Sequence, residues 1–405
     1  MLPTLLALAL TADPKPAFPL FVAHGTDPTA KAGTLAKLTP DFAVTLTEPD
    51  ASVPAGDLVS LRRADKPLPA PPAAPHIRLA NGDNLRATDL TADGDVSVTV
   101  GVRLGAARTS QPLVVPLTAL SAVWFADPPA DTPPDPAAYS WFDATKKQDA
   151  LLLRNGDVVR GAMEKITGAD SGVIRFKPAG EKGPTSYPRT AVAAIAFDPS
   201  LARVKKPKAA FARVTTADGS RVSATSVTSD GRTLEATTLL GGKLTLPVSD
   251  VIAIDVLGGK AAYLSDLKPK AVKDEAFGVV AWPWAADKSV KGNPLRLKTD
   301  RGDEVFGKGL GLHSKTTLAY DLAGKYRRFE ATVGLDAATG QRGAVDVTIL
   351  IDGKPTKLDT LTFAGGVKSL SLDVTKAKEL VVLIDFGPGG DVQDDVTFAD
   401  ARLVE

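Results

Sequence analysis

The 405-residue chain contains no cysteine, which excludes thiol nucleophiles, disulfides and zinc–thiolate sites. Histidine is nearly as scarce: His24, His76 and His313 are the only three and lie far apart, so a histidine-built metal centre is not expected. No charge sign dominates, with 48 Lys and Arg against 47 Asp and Glu. No global field therefore recruits nucleic acid or an anionic membrane. Apolar runs long enough to span a bilayer, ~20 residues, are also missing. The serine-nucleophile signature G-x-S-x-G does not occur, and no unit below is as large as the usual hydrolase catalytic domain. The expectation is a protein that is not an enzyme, although paired carboxylates for glycoside hydrolysis leave no signature of their own in a sequence.

Met1 to Ala12 is a short apolar run ending in small residues, with cleavage points after Ala9 and Ala12. It reads as a signal peptide without the customary leading Lys or Arg, the alternative being a buried first strand. The expected location is outside the cytoplasm: periplasmic, cell-surface or secreted.

What the chain does have is proline, glycine and alternation, with 31 Pro and 35 Gly and apolar residues recurring with period two almost throughout. Helical spacing is nearly absent, so the class is all-β. Three segments share a layout. Ile77 to Asp83, Leu152 to Asp157 and Val214 to Ser220 are each an apolar strand entering an Asn-Gly or Asp-Gly turn. Each segment closes on a proline (Pro116, Pro188, Pro247), an apolar residue four later (Leu120, Val192, Val251) and another seven later (Val123, Ile195, Ile254). A weaker copy upstream carries Pro54, Leu58 and Leu61. The units are expected at 18–64, 76–126, 148–198 and 210–260, as small bent β-units, barrel-like or paired in a sandwich. Their layout loosely resembles Sm-like or SH3-like small barrels. Neutral charge and the lack of exposed aromatic runs disfavour RNA binding, leaving a spacer or a surface for other proteins.

Proline-rich connectors separate the units. Asp65 to Pro75 and Ala126 to Ala138 should be extended and semi-rigid. Pro199 to Ala209 carries Lys205, Lys206 and Lys208 around Pro207, a short basic patch that could meet phosphate but reads first as a solvated linker.

From Tyr263 to Glu405 the chain reads as one module, a sandwich of about eight strands. Val345 to Ile351 alternates and ends in the turn Asp352-Gly353. Leu380 to Ile384 is a continuous apolar run, as expected of a strand buried on both faces. Arg301-Gly302-Asp303 reads as a turn. Phe306 to Ser314 (F-G-K-G-L-G-L-H-S) places three glycines beside His313. Glycine weakens a strand interior, so this stretch is expected as a binding loop or a site of close backbone approach.

Several ordered motifs carry a resemblance to a known family. They are Y-L-S-D-L at 263–267, W-P-W at 282–284, S-V-x-G-x-P-L-R-L at 289–297, G-L-G-x-H-S at 309–314, Y-D-L-x-G-K-Y-R-R-F at 320–329 and D-F-G-P-G-G-D-V-Q-D-D at 385–395. Together they make 263–405 resemble the NPCBM module, a galactose-binding-like jelly roll that binds carbohydrate and is attached to glycoside hydrolases or other exported bacterial domains. Near the end the sequence departs from that pattern. Phe398 stands where the family carries tryptophan, and Asp395 where it carries histidine beside the acidic pair.

The resemblance implies glycan or cell-surface polysaccharide as partner, of galactose type. Sugar recognition needs an aromatic face for the C–H surface of the ring and fixed polar groups for its hydroxyls. Trp282 or Trp284 is the candidate platform, unless they are core; His313 and Ser314 are candidate readers, unless they hold the loop; Lys308 is a candidate donor. Asp336, Asp385, Asp391, Asp394 and Asp395 form an acidic set near the Gly387 to Asp395 loop, which supplies both carboxylates and carbonyls. The family fold implies a structural calcium there; the other reading is solvated loop carboxylates. The rival function is a structural or protein-interaction scaffold whose sandwich has lost sugar binding.

Overall fold

In the computed structural model the described residues are 18–405, apart from 94–96, 106–109, 130–131, 169–170, 276–281 and 339–341. The expected signal peptide lies outside them. Among the described residues the helical elements are seven three-residue 3-10 turns, and everything else with regular structure is strand.

Each of the four upstream units has five strands. The leading unit runs Leu20–Gly25, Lys31–Leu38, Val44–Thr47, Ala51–Val53 and Leu58–Arg63, and the third repeat runs Phe211–Thr216, Arg221–Ser229, Thr233–Thr238, Lys243–Pro247 and Val251–Leu257. The first repeat spans His76–Leu79 to Leu120–Trp124 and the second Asp149–Leu153 to Val192–Ala196. Strands one to four form a meander, and strand five returns antiparallel beside strand one. The glycine turns are alike. Gly82, Gly156 and Gly219 all have φ near +90°, at 88°, 93° and 87°, which explains why glycine recurs there. The residue two before each glycine donates its N–H to the carbonyl closing the 3-10 turn, as in Ala80 to Ala119, Arg154 to Ala191 and Ala217 to Asp250. That bond accounts for the fixed offset between the closing proline and the final apolar strand.

The units associate in nested pairs. Fifth strands join the leading unit to the third repeat (Leu61 opposite Ile254) and the first repeat to the second (Val123 opposite Ile195). The long second strands meet on the far side, Leu38 opposite Ser229 and Ala92 opposite Ile166. Each pair thereby closes a ring of six strands, with the remaining strands as flaps. One continuous apolar cluster that includes Phe21, Leu61, Ile77, Val123, Ile195 and Ile254 fills both rings. Buried Asp83 ties them together, accepting from the Ser223 N–H at 2.7 Å and hydroxyl at 2.8 Å and facing Arg213 at 3.4 Å.

The C-terminal unit is a two-sheet sandwich. One sheet orders Ala285–Ala286, Gly309–His313, Asp395–Val404, Arg328–Leu335 and Lys368–Asp373, with Ala261–Tyr263 also paired to Asp395–Val404. The other orders Ala271–Asp274, Thr316–Asp321, Glu379–Phe386, Ala344–Ile351 and Lys354–Lys357, with Leu361–Thr362 on Ala344–Ile351. Arg301 lies in the turn between strands Leu295–Thr299 and Gly302–Phe306. The apolar run at 380–384 is a correction: Leu380, Val382 and Ile384 are fully buried while Val381 and Leu383 are only partly covered. Both residue types suit a strand, and among the described residues the outer face is only partly covered.

The sandwich is docked on the outer ring. Arg62, on a fifth strand of that ring, donates to Asp255 at 2.6 Å and to Asp400 of the sandwich at 3.0 Å. Arg328 donates to the carbonyls of Gly25 and Thr26. The connector at 65–75, expected to be extended and semi-rigid, is strapped into this seam: Leu68 is buried and its carbonyl accepts the Val305 N–H at 2.9 Å.

Candidate functional site

The glycine-rich stretch is not a loop. Gly309–His313 is a strand buried along its whole length between Ala285–Ala286 and Asp395–Val404. Leu310 and Leu312 enter the sandwich core, so residues 309, 311 and 313 face the other way. A Cβ at Gly311 would lie 2.4 Å from the Lys288 carbonyl, and one at Gly309 would lie 2.3 Å from that of Phe398. Glycine is required because backbone packs directly on the strand, the second of the two expectations.

The backbone packed on Gly311 belongs to the loop 287–294, folded on itself by Ser289. Its N–H donates to the Asn293 carbonyl at 2.8 Å, its carbonyl accepts the Gly292 N–H at 2.8 Å, and its hydroxyl accepts the Asn293 N–H at 3.2 Å. The fold of this loop projects Lys291 to the strand end where His313 emerges. Lys291 Nζ stands 2.7 Å from Asp395 and 5.8 Å from the centre of the Trp282 ring. The Trp282 and His313 rings lie 5.9 Å apart, inclined by 32°. His313 Nδ1 donates to the Ser314 carbonyl at 2.5 Å, leaving Nε2 toward Asp395 at 3.7 Å, too long for a hydrogen bond. One partly exposed indole face, one ammonium and one carboxylate are thus gathered around a nearly buried imidazole. Such a group can cover an apolar ring surface and bond hydroxyls at its rim.

The other candidates are placed elsewhere. Trp284 packs against the sandwich core. Lys308 precedes the strand that His313 ends, five residues or about 17 Å away in extended chain. Its ammonium is held by Asp266 at 2.8 Å and Asp287 at 2.6 Å, over the Tyr263 ring. Ser314 is buried and donates to Asp394 at 2.8 Å, and Asp394 also accepts the Ala344 N–H at 2.9 Å. Burial holds Asp394 above the ordinary carboxylate range, against these two bonds. Asp336 is raised likewise by burial, opposed by donation from the Ala338 N–H and the Thr397 hydroxyl.

The five aspartates do not form one ligand set. Asp336 and Asp394 accept from protein donors, Asp395 faces Lys291 and His313, and Asp385 accepts the N–H of Phe386. Among the described residues no three His, Asp or Glu side chains converge as a metal group. The residue missed from sequence is Lys291, the variable position within S-V-x-G. Its role follows from the loop closure, which Ser289 and Gly292 could have signalled.

Residues 260–404 match the family model described as the NPCBM/NEW2 domain. No curated protein matches at a significant level. Solved structures similar to this chain include a CBM51 module from Clostridium perfringens GH95 in complex with methyl-galactose. It is 24% identical, with 36% of this chain and 99% of that one covered and a TM-score of 0.33. A second comprises the CBM51-2 module, in complex with GlcNAc, and INT domains from C. perfringens ZmpB (23%, covering 48% and 43%, TM-score 0.34). The tandem CBM51 modules of Streptococcus pneumoniae Sp3GH98 are 14% identical, covering 63% and 87%, at a TM-score of 0.32. By sequence family, the C-terminal third of this chain, residues 260–404, is an NPCBM/NEW2 domain.

Proposed function

We propose that the protein is an exported, non-catalytic glycan-binding protein. Its NPCBM domain holds a saccharide ring, of galactose type, against Trp282, with Lys291, held in place by the buried Asp395 carboxylate, reading hydroxyls, while the two β-rings hold the domain out or dock it to other proteins. The observation that carries this reading is the gathering of Trp282, Lys291, His313 and Asp395 at one end of the glycine strand. His313 and Ser314, buried as they are, serve mainly to fix that end. The test is a glycan array with the full chain, with calcium and with chelator, beside Trp282→Ala. Retention of galactose-containing glycans that the variant loses, at unchanged circular dichroism, is expected. Failure to retain any glycan under either condition sinks the proposal and leaves the scaffold reading, which the ionic seam between sandwich and outer ring favours.

A further inference from the structure

A cleft of about 1200 Å³ runs between the first repeat, the third repeat, the two later connectors and the NPCBM domain. Eight of its lining residues are Arg or Lys and three are Asp, in a chain whose total charge is +1. The three aspartates are already engaged, Asp135 with Arg78 and the other two with Lys308. Among the described residues no carboxylate lies within ion-pair distance of Lys205, Lys206, Lys288 or Arg221. The first two are the basic patch of the connector, exposed to solvent at the edge of the cleft. Arg221 donates only to the carbonyls of Pro69 and Val305. Burial first, and then the neighbouring Arg213, lower it to about 10, against the more distant pull of Asp255 and Asp400.

We propose that this cleft is a second binding site, for an anionic oligosaccharide bearing carboxylate or sulfate groups. Its volume exceeds the ~300–1000 Å³ of ordinary small-molecule pockets, which suits a short chain better than a single ring. Phe211, Leu239, Leu257 and Phe306 line the same cleft as the cations, so it offers apolar surface for C–H faces as well as charge for acidic substituents. Lys291 lines the cleft and also stands beside Trp282, so it is common to the two sites. The saccharide half of the inference rests on the carbohydrate reading of the NPCBM domain; the anionic half rests on the charge of the cleft.

The experiment is calorimetric titration of the full chain with four probes of matched length: oligogalacturonate, a sulfated galactan oligosaccharide, a neutral galactan oligosaccharide and oligothymidylate. The exposed pair Lys205→Glu/Lys206→Glu is titrated in parallel, with circular dichroism to verify its fold, and Lys288→Glu serves as a second variant should the pair misfold. One or both acidic sugars are expected to bind, with affinity falling as NaCl rises and dropping about tenfold, about 1.4 kcal/mol, on charge reversal. The two acidic probes tell carboxylate from sulfate. Equal binding of oligothymidylate would make the cleft a general polyanion surface and overturn the proposal, as would binding of neither acidic sugar or indifference to charge reversal. Neutral glycan retention, read on the same protein, fails or succeeds separately and reports on the Trp282 surface.

Discussion

Arg62→Leu should unseat the NPCBM domain from the outer ring. Arg62 bonds Asp255 Oδ1 through Nε at 3.2 Å and Nη2 at 2.6 Å, and Asp400 Oδ2 at 3.0 Å. The three side chains are 15 to 20% exposed. Removing one partner from a fully buried ion pair costs about 3–5 kcal/mol, and the residual exposure places this loss near the lower end, about 3 kcal/mol. For a cooperative unit of 150–250 residues that is a fall of about 6–12 °C in thermal midpoint. The loss must also depend on pH. Burial already holds Asp400 above the ordinary carboxylate range, against the pull of Arg62, and without the guanidinium it rises further. A carboxyl raised in the folded state takes up its proton more readily folded than unfolded, so its stabilising contribution is complete in acid and is lost as pH rises through the folded value. The variant should therefore be most impaired near pH 7.5 and recover part of the deficit toward pH 4.5, and Asp255→Asn in the same background should recover more. Differential scanning calorimetry at both pH values, each against wild type, measures this. A deficit under about 2 °C, or one equal at both pH values, would refute the reasoning.

Three further outcomes are expected. Gly311→Ala should cost about 1–3 kcal/mol through overpacking and weaken glycan retention, because the loop bearing Lys291 must move. Gly353→Ala, whose Cβ meets open space at φ +78°, should cost about 1–2 kcal/mol through backbone strain alone and leave retention intact; denaturant midpoints and the array separate the two. Asp83→Ala should cost about 3–5 kcal/mol by leaving Arg213 without its carboxylate, and should appear in limited proteolysis as faster cutting between the rings. Burial pushes His76 down to about 4 from an ordinary 6.5, and burial with Arg402 does the same to His24. Both stay neutral when folded and gain protons on unfolding, so the stability they confer is complete above pH 6.5 and lost as pH falls toward 4. His76→Phe should flatten the fall in thermal midpoint between pH 7.5 and 5.0, and an unchanged slope would contradict the assignment.

Much of this architecture was legible because backbone needs leave residue signatures. The Asn-Gly and Asp-Gly turns announced the repeats through the positive φ that Gly82, Gly156 and Gly219 adopt, and period two announced the class. Contacts between distant segments leave no such trace. Gly309 and Gly311 demanded a close neighbour without saying whether it was a ligand or, as it is, the backbone of Lys288 and Phe398. Trp284 and Trp282 are two residues apart in one motif, yet one packs on the core and the other stands beside Lys291. Lys205 and Lys206 are exposed, as a solvated linker would be, but nothing local reveals that Arg213 and Arg221, from two adjacent strands, share their cleft.

The nesting of the units fixes an order of events during synthesis. The inner ring needs only neighbouring repeats, whereas Arg62 of the leading unit waits for Ala253, its partner across the fifth strands. At about 5–20 residues per second, those roughly 190 residues take about 10–40 s to emerge. Through that interval Leu58–Arg63, paired on one side with Leu20–Gly25, is a sheet edge open on the other.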